Sequence, residues 1–385
     1  MKRLIYIFLV FVAGWQWSMA QDVSKFKMLD DSAYQSDNEY LSGNKYQKDV
    51  MLFMDVVAGT HPYYVKAERR TEWFAKKKTL LEQCANIQSD ENFVDTLIAV
   101  LGPLHDKHTD LTTEKRLQER KNAGKQVPEA TESSIAGGDC LMCRHDALYD
   151  YSIFPDLSIC YLQFNQCVDM PENPFEVFLD DMFVEMEAKK VKTLVVDVQY
   201  NGGGSSRLCD ELLRHLYPAD ELKDFTTYLR FSDLMAAYNP KIADVKAKWE
   251  NDGHADELYQ MPKPGIPTDD QQSALYNGKV VFVMGPKTYS SAGILLTLAR
   301  DNRIGTIVGT TSTFAPSHYG EVLPYRLPNT GVLGSISCKY FARPDETRVD
   351  DACMEPDCAI NLDDKEMAWR YIIENFSNKD TELEK

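Results

Sequence analysis

Two patterns in the sequence predict an α/β protein with a small helical domain ahead of it. From Ser158 to Phe376, short apolar runs of strand length alternate with helical stretches. That alternation is what strands buried under flanking helices require. From Tyr46 to about Leu104, apolar residues recur instead at helical spacing.

The elements follow in chain order. Lys2 and Arg3 precede an apolar run from Leu4 to about Trp15, and Ser18-Met19-Ala20 places small residues before a cut ahead of Gln21. This is the layout of a cleaved secretory signal over residues 1–20, too short to span a bilayer as a helix. No Cys lies near the cut for a lipid anchor. The expectation is a secreted or periplasmic protein with no stable membrane insertion after cleavage. Residues 21–111 form the expected N-terminal helical domain. Its lead-in, 22–46, is polar and irregular. Three helices then follow, with Met51, Phe53, Met54 and Val57 on one face, Trp73, Phe74, Leu80 and Leu81 on the next, and Phe93, Leu97, Ile98 and Leu101 on the third. Residues 112–157 include a charged, Gly-containing stretch with few apolar positions and read as a solvated linker or loop. In 158–385, strands are expected near 158–167, 194–196, 279–284, 306–308, 320–325 and 332–341. Helices are expected near 175–190, 207–216, 291–300 and 367–376.

Composition narrows the function classes. Hydrophobic residues make up 44% and charged residues 26% of the chain, which excludes global disorder. The formal net charge of −17 argues against nucleic-acid binding, which needs a basic face for phosphates. Of nine cysteines, Cys140 and Cys143 form a CxxC. His145 stands one place too late for haem attachment, and Cys353 and Cys358 are wrongly spaced to complete a zinc site. A local disulfide or plain thiols is the better reading, and no metal or organic cofactor is expected.

Two turns carry the chemistry. Asp197-Val198-Gln199-Tyr200-Asn201-Gly202-Gly203-Gly204 follows an apolar strand and precedes a helix. Consecutive glycines let backbone N–H groups approach a ligand. The turn lacks the Lys-Ser/Thr of a phosphate loop and the third glycine of a dinucleotide fingerprint, which leaves an oxyanion hole or a plain tight turn. Thr288-Tyr289-Ser290-Ser291-Ala292-Gly293 follows the strand at 280–284 and opens an apolar helix. Ser290 there is either a helix cap or a nucleophile at a helix N-terminus.

Together these segments resemble the tail-specific (C-terminal processing) serine proteases. Val195–Gly204 looks like their strand-plus-Asn-x-Gly-Gly signature, and Thr288–Ala292 like their nucleophile turn. Gly309-Thr310-Thr311, Tyr319-Gly320-Glu321, Leu327-Pro328-Asn329-Thr330-Gly331 and Glu355-Pro356-Asp357 follow in the family's order. His61-Pro62 and Asp106-Lys107-His108-Thr109 match its N-terminal part. The nearest likeness is to the branch with the tricorn core protease and the interphotoreceptor retinoid-binding protein repeats. The resemblance implies a ClpP/crotonase-like spiral of strand-strand-helix units and hydrolysis of peptide bonds in a peptide or protein substrate. It implies Ser290 as nucleophile, with the N–H groups of Gly203, neighbouring Gly204 and Ser291 as oxyanion donors. The Ser-Lys branch has a lysine 25 residues past the nucleophile, where this chain has Ala315. The resemblance therefore points to His108 as base, with Asp350 as the carboxylate that orients it. His318 is a rival base. Gly293 stands where many members have Glu, and Gln199 where many have Arg. About 50 residues separate His108 from the strand at Ser158, too few for a PDZ domain of roughly 90 residues. The alternative reading is an inactive peptide- or ligand-binding protein on the same fold. The sequence leaves the oligomeric state open.

Overall fold

The computed structural model describes residues 22–125, 141–143, 146–262, 275–349 and 351–377. The expected signal segment, Cys140 and Asp350 lie outside these residues. The main helices are α1 (Lys45–Thr60), α2 (Ala67–Phe74), α3 (Lys77–Cys84), α4 (Asp90–Leu101), α5 (Glu114–Lys125), α6 (Phe175–Ala188), α7 (Ser206–Leu216), α8 (Asp233–Tyr238), α9 (Lys241–Trp249), α10 (Ser291–Asp301) and α11 (Lys365–Phe376). The strands are β1 (Lys27–Met28), β2 (Asp110–Thr112), β3 (Tyr149–Phe154), β4 (Ile159–Phe164), β5 (Thr193–Asp197), β6 (Thr226–Leu229), β7 (Tyr259–Gln260), β8 (Lys279–Met284), β9 (Thr306–Gly309), β10 (His318–Arg326), β11 (Leu333–Ala342) and β12 (Cys358–Ala359). This is a mixed α/β fold with two sheets. Among the described residues no helix is long and apolar enough to cross a membrane.

The described residues divide into two units of interleaved segments: 22–125, 226–262 and 318–341 in the first, 141–143, 146–225, 275–317, 342–349 and 351–377 in the second. In the first, α1 starts at a capping box between Asn44 and Gln47, which satisfies orphan N–H groups at that end. Val50, Phe53, Met54 and Val57 are buried along its inner face. The fully buried Trp73 donates its indole N–H to Met54 O at 2.9 Å. β10 and β11 pair antiparallel, and β2 joins the far side of β11 with Asp110 opposite Ser335. The β10–β11 turn is tied to α1 by one buried carboxylate. Asp49 accepts the N–H of Asn329 at 3.1 Å and that of Thr330 at 2.7 Å. It also accepts their side chains at 2.9 and 2.6 Å. The Asn-Thr-Gly motif is thus the receptor for a buried anion, and Gly331, at φ 76°, closes the turn.

The second unit is built on a sheet of order β12-β9-β8-β5-β4-β3. β3 runs antiparallel to β4, and the other pairings are parallel. β4 and β5 are buried at every residue, and β8 at all but its first. Parallel strands covered on both faces favour mostly apolar runs, which is why these strands stood out in the sequence. In the ladder Asp197 stands opposite Val283. The carboxyl ends of β5 and β8 are therefore adjacent, and the two turns that follow them emerge side by side, where open parallel sheets place their ligand sites.

Some expectations are corrected. The N-terminal part carries four principal helices, α1 to α4, rather than three. The stretch after Thr112 holds the helix α5, with mean hydropathy far to the polar side, so its sequence shows no apolar stripe. β3 occupies part of the expected linker. Cys143 is disulfide-bonded. Cys84, Cys160, Cys167, Cys209, Cys338, Cys353 and Cys358 are free.

Candidate active site

The second unit brings Ser290, Ser291, Gly203 and Gly204 together. Ser290 ends the β8–α10 turn with φ 53° and ψ −123°, a backbone state that a residue with a Cβ adopts only under constraint. A serine on a strained strand-to-helix turn is pushed out at the tip, the geometry of a nucleophile elbow. Its side chain makes no capping bond to α10, so the helix-cap reading of Ser290 is not what the structure displays. The first bond of α10 runs from Ile294 N to Ser290 O at 2.8 Å. The N–H of Ser291 therefore lies in the first turn, among donors that have no partner within the helix. There the helix dipole favours negative charge.

Three hydrogen bonds lock the two turns together. Tyr289 N donates to Asn201 O at 3.0 Å. Thr288 Oγ1 donates to Val198 O at 2.8 Å, and Ser291 Oγ to Gly204 O at 2.7 Å. Gly203 takes φ 99° and Gly204 φ 140°. A Cβ on Gly203 would lie 2.7 Å from Ser290 Cβ, so only glycine lets the turn approach the serine this closely. A Cβ on Gly204 would collide with the carbonyl of Cys167. The N–H of Gly203 donates to Asn201 Oδ1 at 2.9 Å. To hold an oxyanion it has to leave or share that acceptor.

The glycine turn rests on a buried polar floor. Asp197 accepts the N–H of Gln199 at 2.9 Å, Gln199 Nε2 at 2.6 Å, and the hydroxyl of Tyr161. Burial pushes the Asp197 carboxyl up, against these hydrogen bonds. Gln199 Oε1 in turn accepts Lys365 Nζ at 2.6 Å. Gln199 thus ties the floor of the glycine turn to a lysine from α11.

Gly293 also has a local cause. The fully buried Phe314 ring fills the space a Cβ would need there. Glu at this position would overpack that ring and bury an unpaired charge. Gly293→Glu should therefore cost at least about 3 kcal/mol, read as a drop in the thermal or denaturant midpoint. An unchanged midpoint would mean that Phe314 is free to move aside.

His108 belongs to the first unit, just before β2. Its carbonyl accepts Ser335 Oγ from β11 at 2.9 Å. Its side chain remains 20% exposed, while that of Asp106 beneath it is 1% exposed. Asp106 Oδ1 accepts the backbone N–H of His108 at 2.9 Å and lies 3.4 Å from His108 Nδ1. Asp106 Oδ2 accepts Thr109 Oγ1 at 2.6 Å, Ser337 Oγ at 2.7 Å and His61 Nε2 at 3.1 Å. His61 Nδ1 accepts the N–H of Tyr63 at 3.2 Å, which leaves the ring proton on Nε2, facing the carboxylate. Burial drives the His61 pKa down, with Asp106 opposing. Burial alone would raise the Asp106 pKa, but its bonds to His108 and His61 hold the carboxyl well below the usual range. The second histidine of interest, His318, has its ring centroid 6.3 Å from that of His108 and stacks on Phe341. Asp106 went unweighed in the sequence reading although it stands two places before His108. The signal that would have found it is this spacing, which lets an Asx-type bond close on the His108 N–H.

Three solved structures share the fold. Mature CPAF complexed with lactacystin is 12% identical with a TM-score of 0.58, covering 86% of this chain and 97% of that one. A candidate peptidase from Parabacteroides merdae ATCC 43184 is 16% identical with a TM-score of 0.53, covering 84% and 92%. A lipoprotein from Streptococcus agalactiae is 11% identical with a TM-score of 0.51, covering 88% and 99%. No curated protein matches the sequence significantly. The family model of peptidase family S41 matches residues 158–360, from the start of β4 through both turns to the end of β12. That match takes in more than half of the chain, and the chain belongs to peptidase family S41.

Proposed function

We propose that this chain is an exported serine peptidase that hydrolyses peptide bonds through Ser290. Membership of a peptidase family makes peptides or proteins the substrate class. The observation that carries the serine reading is the turn itself: Ser290 at φ 53°, uncapped, with Gly203 packed on its Cβ and the first N–H of α10 beside it. A hydroxyl is a weak nucleophile and needs a base. His108 takes that role through Nε2, leaving Nδ1 toward Asp106, which fixes the ring's tautomer and orientation. The attacked carbonyl oxygen becomes an anion that the N–H groups of Ser291, Gly204 and Gly203 hold, the last after release from Asn201. His108 then returns the proton to the leaving amine. Asp106 is the orienting carboxylate in this scheme, and Asp350 is the competing assignment. Export follows from the signal-like segment 1–20.

A second reading, ligand binding without catalysis, is favoured by the occupied Gly203 N–H and by Ala315 at the lysine position. Incubation with a fluorophosphonate probe and an unfolded protein substrate separates the two. We expect one labelled peptide containing Ser290, together with cleavage of the substrate. A folded protein that neither labels nor cleaves would leave the binding reading standing.

A further inference from the structure

Beneath the two turns lie two thiols that the scheme above does not use. Cys167 and Cys209 are 1% and 0% exposed, and their sulfurs are 3.6 Å apart. Each is wired to one side of the site. Cys167 N donates to Gly203 O at 3.1 Å, and Cys167 O accepts Ser205 N at 2.7 Å, so its backbone brackets the glycine turn. Cys167 Sγ points at Asn201 Oδ1 at 3.6 Å, the same oxygen that accepts the Gly203 N–H. Cys209, on α7, points its Sγ at Ser291 O at 3.3 Å, the residue after the nucleophile.

We propose that Cys167 and Cys209 are a thiol–disulfide modification site whose oxidation switches the oxyanion turn off. A disulfide needs an S–S distance of about 2.05 Å, so the sulfurs must close by about 1.5 Å from where they stand. The movement falls on a turn whose glycines permit it and whose contact with Ser290 leaves no slack. Bond formation also removes both S–H donors, one from Asn201 Oδ1 and one from Ser291 O. The oxidant is a disulfide, either of a small thiol or of a protein partner. One cysteine, as thiolate, attacks that disulfide, expelling one thiol and forming a mixed disulfide. The other then attacks its own neighbour's sulfur in the mixed bond and expels the second thiol. The two cysteines lose two protons and two electrons, and the oxidant becomes two thiols. Because both sulfurs are buried, exchange proceeds through local opening and is slow.

The proposal rests on the serine reading for its effect on activity, but not for its chemistry. The test equilibrates the full protein in glutathione buffers from fully reduced to fully oxidised. Free thiols are then alkylated and the linked peptides mapped by mass. The rate of fluorophosphonate labelling is measured on the same samples, with Cys209→Ser and Cys167→Ser as controls. We expect a Cys167–Cys209 linkage that reduction reverses, and labelling at least ten-fold slower in the linked form. Each variant should label at one rate in every buffer. If the samples label and no such linkage forms, or it forms and labelling is unchanged, the proposal is overturned while the serine reading stands; if no linkage forms and no sample labels, both fall. If the linkage forms reversibly and no sample labels, the thiol site stands and the serine reading fails with the switch assigned to it.

Discussion

Ser290→Ala is expected to abolish labelling by a fluorophosphonate and to lower kcat by at least about 10³-fold, as loss of an activated nucleophile does. The fold should hardly notice. Alanine keeps the Cβ that meets Gly203 and keeps the strained φ of 53°, and no capping bond is lost because none exists. Ser290→Gly should be equally inactive but more stable. Glycine reaches positive φ without steric cost, relieving on the order of 1–3 kcal/mol of strain. It returns part of that, about 0.4–1 kcal/mol, through the entropy of the unfolded chain. The net expectation is a gain of about 1 kcal/mol, visible as a higher denaturation midpoint. Equal stability of the Ala and Gly variants would mean that the turn holds no strain. Full activity of either would remove Ser290 from the chemistry.

The fold was legible where burial is simple. β4, β5 and β8 are covered on both faces, so apolar residues dominate them, with Gln163, Thr193 and Asp197 as buried polar exceptions, and α10 and α11 show their inner stripe. It was illegible where pairing is long-range or the face is wet. β2 is three residues long, and its place is set by β11, more than two hundred residues away. β3 alternates buried and exposed positions too weakly to stand out in sequence. The helical segment shares one hydrophobic core with β10 and β11, where Phe53 and Leu97 cluster with Tyr325 and Ile336, and one buried carboxylate, Asp49, also reaches their turn. Periodicity carries no trace of such a link.

The site divides in the same way. Both segments were readable as turns, since consecutive glycines and a serine between an apolar strand and a helix mark a chain reversal. The two departures at Gly293 and Gln199 each have a local structural setting. Phe314 occupies the space beside Gly293, and Lys365 reaches the floor of the glycine turn through Gln199. For His108 the sequence offered one carboxylate far along the chain, Asp350, while the structure adds a second candidate, the buried Asp106 two residues before it.

Asp106→Asn is the change that decides between these carboxylates. Asp106 takes hydrogen bonds from Thr109, Ser337, His61 and the N–H of His108, so every group facing it is a donor. An asparagine offers one oxygen and one NH₂, and the NH₂ must point at donors already committed. Loss of hydrogen bonds to a buried charge costs about 2–4 kcal/mol at neutral pH. The pH dependence has a definite sign. The folded carboxyl titrates below the unfolded value of about 4, so its stabilisation is complete above that pH. The stabilisation is lost as pH falls through the folded value. The gap in melting midpoint between wild type and Asp106→Asn should therefore be widest at neutral pH and begin to narrow below about pH 4. For catalysis, Asn can present its NH₂ to His108 Nδ1 and select the wrong tautomer, so kcat should fall about 10²–10⁴-fold with KM little changed. Asp350→Asn should leave kcat within a few-fold. The reverse pattern, with Asp106→Asn active and Asp350→Asn dead, would transfer the orienting role to Asp350 and reduce Asp106 to a structural anion that pins the segment before β2.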